Sequence, residues 1–216
     1  MDWAAVLARE TGRYADGERR VPAEAERREK QLVRLAMAAG GAGLALLMLG
    51  RRDEAAAWLA RAADRYRESW DDAPPGSWGR PVGALKSRLL ADDREGAARD
   101  ARWTLEQAPD PSASPIAGYA ATLARLTLGD DAEASRLAAA LRQAEGFPDE
   151  VAQALEALAA GDGVAYEQAV RAVLMSFEVR EEYLEDVPVA DTVLVLEALA
   201  EPRGLAVRLG SELLPG

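Results

Sequence analysis

The most crowded chemical groups in this chain are carboxylates. In "FEVREEYLEDVPVAD", Glu178, Glu181, Glu182 and Glu185 stand three and four residues apart. On a continuous helix they would share one face. Several carboxylate oxygens on one face suit Mg2+ or Ca2+. Di-iron bundles also use such faces, but with Glu-x-x-His pairs, and the chain contains no His. A solvated acidic face on an acidic protein is the plainer reading, and no metal or other cofactor is expected. Asp130 and Asp131, after Gly129, lack the alternating ligand spacing of a calcium loop and read instead as a turn and helix N-cap.

A second group is aromatic and basic. Trp78, Arg80, Lys86 and Arg88 fall within eleven residues, and Tyr119 and Arg125 follow at a similar internal spacing. Arg pairs with carboxylates in a fork, so such a strip could hold a carboxylate-bearing peptide or small ligand. The alternative is that the aromatics anchor a core and the cations sit in surface ion pairs.

Other chemistry is excluded by absence. With neither Cys nor His, the chain has no disulfide, thiolate or imidazole, and no ordinary zinc site. Ser-His-Asp and Cys-His arrangements go with them. No nucleophile–base pair can be assembled from what remains, so an enzyme is not expected. The glycines of "AAGGAGLALLMLG" do not form a phosphate loop, because no Gly-Lys-Ser/Thr ending follows. They read as sites of close helix packing.

Charge bounds the partners. The chain has 216 residues, with 37 Asp and Glu against 26 Lys and Arg and a net charge of −11. Nucleic acid and anionic membrane surfaces are not expected partners. Lys occurs only at Lys30 and Lys86, a pattern of GC-rich coding or of salt adaptation. The opening "MDWAAVLARE" has no signal-type apolar core, and the uncharged run from 35 to 50 falls short of the ~20 residues of a membrane span. A cytoplasmic protein is expected.

The elements that position these groups are helices. Periodicity is helical throughout and no segment alternates like a strand. Aromatics make up only 6%, so the core must be built from Ala, Leu and Val. A first helix, capped by Asp2, occupies residues 1–21, and Pro22 is placed near the next helix start. Four helical pairs follow over 22–180, separated by "DDAPPGSWGRP", "DPSASP" and "GFP". A last helix, "VADTVLVLEALAE", and an extended tail complete 181–216. The expected fold is all-α: one domain of stacked antiparallel hairpins with capping terminal helices.

The first pair carries Gly43, Gly50, Ala55, Leu59 and Ala62 at the offsets of a tetratricopeptide repeat, which this stretch resembles. The pivotal Ala recurs as Ala55, Ala97, Ala134 and Ala169, at separations of 42, 37 and 35 residues. Pro109 stands at the closing-Pro position of the second unit. Asp92 replaces the turn Gly there, and Arg88 and Arg125 take a position that is usually Tyr. The resemblance covers residues 36–180 and implies a right-handed array whose groove binds a protein or peptide. In that mapping Met37, Leu44, Leu47 and Met48 face the groove in the first unit. The N-terminal helix, through Trp3 and Leu7, is the expected cover, with a symmetric dimer as the other way to bury them. Trp78, Arg80, Lys86, Arg88, Tyr119 and Arg125 become the partner-binding residues.

The end of the chain, "ADTVLVLEALAEPRGLAVRLGSELLP", resembles the closing segment of the bacterial immunity protein 49 family: an apolar helix, an Arg-Gly turn at Arg203 and Gly204, and a Leu-Pro ending. That resemblance implies a helical protein neutralising a partner toxin. The leading expectation remains a non-enzymatic protein-interaction module.

Overall fold

A computed structural model of the chain describes residues 1–183 and 186–216. It is all-α: the described residues form ten helices and no strand, and about 70% of the chain is helical. These are α1 (Trp3–Glu18), α2 (Ala25–Met48), α3 (Arg52–Glu68), α4 (Gly79–Leu90), α5 (Arg94–Glu106), α6 (Pro115–Leu128), α7 (Asp131–Leu141), α8 (Asp149–Ala160), α9 (Gly163–Glu178) and α10 (Asp191–Ala200). They fall into two compact units. The first holds residues 1–93, 181–189 and 212–216, and the second holds 94–180 and 190–211.

The local signals act where the sequence places them. The Asp2 carboxylate accepts from the Ala4 and Ala5 N–H groups and starts α1. Ser114 caps α6, and Pro115 takes its first position, where no N–H is needed. Pro81 sits inside the first turn of α4 for the same reason, so the Pro/Gly-rich break ends earlier than its composition suggests.

One turn recurs. Gly50, Asp92, Gly129 and Gly161 all have positive φ, between 53° and 75°. After each, the next N–H reaches back five residues: Arg51 to the Leu46 carbonyl, Asp93 to Arg88, Asp130 to Arg125, and Asp162 to Ala157. This bond satisfies a carbonyl orphaned at the helix end. A fifth copy, at Gly204 with Leu205 bonding back to Ala200, ends the 3-10 turn after α10.

Five residues beyond each of the first four turns stand Ala55, Ala97, Ala134 and Tyr166, each at most 1% exposed. Ala169 is also buried, at 5%, but it lies one helical turn further on. The fourth pivot is therefore Tyr166, and the turns are 42, 37 and 32 residues apart.

In the first unit, α2 packs between α1 and α3, and α3 packs on α4. The glycines of α2 let this happen. A Cβ on Gly43 would lie 2.6 Å from Leu59 Cγ, and one on Gly41 would lie 3.0 Å from Glu10 Cγ. By length and apolarity α2 could cross a membrane, but 56% of its most apolar window is buried within the protein. The N-terminal helix packs on α2 and holds Leu7 against the Leu46–Ala55–Leu59 cluster. Tyr14 meets Trp58 edge-on at 5.3 Å, and Arg65 of α3 reaches both Tyr14 Oη and Glu18. Met37, Leu44, Leu47 and Met48 are half-buried. In the second unit α5 to α9 pack each on the next, and α10 packs on α8 and α9.

Candidate functional site

The expected partner-binding residues divide between the units. Trp78, Arg80, Lys86 and Arg88 lie in the first, Tyr119 and Arg125 in the second. Trp78, at the start of α4, stacks at a tilt on Trp70 with centroids 5.1 Å apart. Arg80 turns inward. It donates to the Ser69 carbonyl and to the Glu29 carboxylate of α2, which is almost wholly buried. Burial of a carboxylate is tolerable only with such a partner, so Arg80 serves the fold of its unit. Arg88 bridges Asp64 of α3 and Asp93 in the turn after α4. Lys86 is half-buried on α4.

In the second unit Tyr119 is buried against Phe147, with centroids 5.4 Å apart. Arg125 meets Asp130 at 2.8 Å across the α6–α7 turn. The three arginines of the expected strip thus all hold carboxylates of this chain. Of the two aromatics, Tyr119 is buried in the core and Trp78 is half-buried.

The acidic cluster is also rearranged. Helix α9 ends at Glu178, so Glu181 and Glu182 lie beyond it and share no helical face with Glu178. Glu185 lies outside the described residues. Among those residues no three Asp or Glu side chains converge on a point that could hold a metal ion. Val179 is the C-cap of α9, and its N–H still bonds back to the Met175 carbonyl.

The motif at the end of the chain is structural in its contacts. Arg203 donates to the Leu199 carbonyl, to the Leu126 carbonyl at the end of α6, and to Asp131 at the start of α7. It ties the chain after α10 to the α6–α7 turn. Nearby, Glu197 of α10 accepts from Tyr166 Oη at 2.8 Å and from the Val207 N–H at 2.7 Å. Burial raises the Glu197 pKa above the usual carboxylate range, against the opposing effect of these two donors. Burial and the Glu197 charge push the Tyr166 hydroxyl up as well.

A shallow pocket of about 340 Å3 opens in the first unit beside α1. Leu7, Leu46 and Trp58 line it, and the paired Arg51 and Glu54 form its lip. Thr11 spends its hydroxyl on the Leu7 carbonyl. No catalytic constellation lines this pocket.

The surface feature that sequence reading passed over is on α9. Val164, Met175 and Val179 are 72%, 65% and 80% exposed. Their spacings of eleven and four residues, both close to whole helical turns, were the available signal. No protein-family model matches the chain, and no curated protein or solved structure shows significant similarity to it.

Proposed function

We propose that this protein is a non-enzymatic protein-interaction module of the tetratricopeptide type, acting in the cytoplasm. The observation that carries the reading is the recurrent hairpin turn: four positive-φ residues, each followed five residues later by a buried pivot. Such arrays bury a continuous core between neighbouring helices and leave outer helix faces for partners. The chemistry points the same way. The conspicuous cations pair with carboxylates of this chain, and α9 of the second unit leaves Val164, Met175 and Val179 in solvent.

A second reading, an immunity-type protein that neutralises a toxin, draws support from one feature. The Arg203–Gly204 segment follows helix α10 and turns at a left-handed Gly204. Reciprocal capture with cross-linking in the native host tests both readings. One protein recovered in both directions is expected, and a nuclease or other toxin as that protein selects the immunity reading. Repeated recovery of no partner refutes the module.

A further inference from the structure

Helix α9 carries large apolar side chains on two opposite sides. Tyr166, Val170, Val173 and Phe177 point into the second unit and are buried. On the far side Val164, Gln168, Ala172, Met175 and Val179 form an exposed stripe, within about 80° of arc at 100° per residue. Large apolar side chains gathered on the outer side of a helix mark a contact surface when they share one stripe. Here the inner face is used and the outer one carries Val164, Met175 and Val179 in solvent.

We propose that this stripe docks an amphipathic, cationic helix of a partner protein, a proposal that rests on the interaction-module reading. The charge decides for a cationic occupant. Glu167, Arg171 and Glu178 run along one edge of the stripe. Arg171 is already held by Glu167, at 2.7 and 3.1 Å, and among the described residues Glu178 accepts only from the neutral Ser211 hydroxyl, so its negative charge stays in place. The unit that carries the stripe holds 17 carboxylate side chains against 10 arginines and no lysine. A second copy of the chain would bring the same excess, and the whole chain's −11, against itself. One helix face also gives much less than the roughly 800 Å2 per partner of a stable dimer. Val164 to Val179 spans about 22 Å at 1.5 Å per residue. That length matches a partner helix of about four turns, anchored by apolar residues at i, i+4 and i+7 with Lys or Arg beside them.

The test uses the full chain and two fluorescein-labelled 18-residue amphipathic peptides that share one Leu face. One carries Lys on its polar face, the other Glu. Anisotropy titration should show the Lys peptide binding and the Glu peptide binding at least tenfold more weakly. Met175→Gln with Val179→Gln should weaken the Lys peptide at least tenfold, because it removes apolar surface without touching charge. Both sites are exposed, so the urea midpoint should not move. Unchanged binding by that variant, or equal binding of the two peptides, overturns the proposal. So does a wild-type dimer in sedimentation that Met175→Gln dissociates, since a second copy would then be the occupant. The module reading fails separately: a reciprocal partner cross-linked only away from α9 keeps the module and removes this site. Lys-peptide binding at the stripe without any native partner does the reverse.

Discussion

Two glycines three residues apart on α2 should respond to the same substitution with opposite signs. Gly→Ala in a helix interior is worth about 1 kcal/mol in backbone terms. At Gly40 the new methyl would meet only Ala62 Cβ, at 4.0 Å, an ordinary contact. Gly40→Ala should therefore stabilise the first unit by up to about 1 kcal/mol. At Gly43 the methyl would lie 2.6 Å from Leu59 Cγ, 2.8 Å from Leu59 Cδ2 and 3.4 Å from the Leu59 nitrogen. Leu59 is 1% exposed and packs with Leu46 and Ala55, so it has no room to withdraw. Overpacking of this kind costs about 1–3 kcal/mol. After the propensity gain, Gly43→Ala should lose about 1 kcal/mol, and as much as about 2. Urea unfolding followed by Trp fluorescence reads the first unit, because Trp3, Trp58, Trp70 and Trp78 lie there and only Trp103 lies in the second. The midpoint should rise for Gly40→Ala and fall for Gly43→Ala at unchanged slope. Adding Leu59→Ala should reverse the Gly43→Ala penalty, a favourable coupling of about 1 kcal/mol or more. If Gly43→Ala stabilises as Gly40→Ala does, the close α2–α3 approach is wrong.

Three further outcomes follow from contacts elsewhere. Glu29→Ala strands Arg80 in a buried site and should cost about 3–5 kcal/mol. Arg88→Ala, whose partner Asp64 is mostly in solvent, should cost about 1 kcal/mol or less; the two urea midpoints check the contrast. Asp92 holds φ at +53° where the other three turns have Gly, so Asp92→Gly should gain up to about 1 kcal/mol, seen as a higher thermal midpoint. The folded Glu197 has a raised pKa, so the folded state binds its proton more tightly than the unfolded chain does. Its contribution to stability is full below the unfolded value and declines as pH rises through the folded one. The wild type should therefore lose stability relative to Glu197→Gln as pH climbs from about 4 upward, measured by urea unfolding at a series of pH values.

How much of this was legible depended on whether a signal was local to the backbone. The Asp2 cap, the break at "DPSASP", the helix pairs and the small residues at Gly43, Ala55 and Ala62 were legible, because each acts through its nearest neighbours. The register of the fourth hairpin was not. In an Ala-rich helix the residues at i and i+3 both read as pivots, so Ala169 competed with Tyr166. The left-handed turn breaks that tie, since it can occur only where the chain tolerates positive φ. Counting five residues on from Gly161, as from Gly50 and Gly129, leads to Tyr166 without any structure. Size then explains the substitution at that pivot: a tyrosine reaches Glu197 on α10, which an alanine would not. The cations failed for the opposite reason. Arg80 pairs with Glu29 across 51 residues and Arg88 with Asp64 across 24, and no local pattern announces such a partner. Nor do the apolar residues alone separate the two faces of α9, because Val164 and Met175 outside are as apolar as Val173 and Leu174 within. The polar Glu167, Gln168, Arg171 and Glu178 do mark the outer side of α9, but whether the apolar residues among them are covered depends on the packing of α8 and α10.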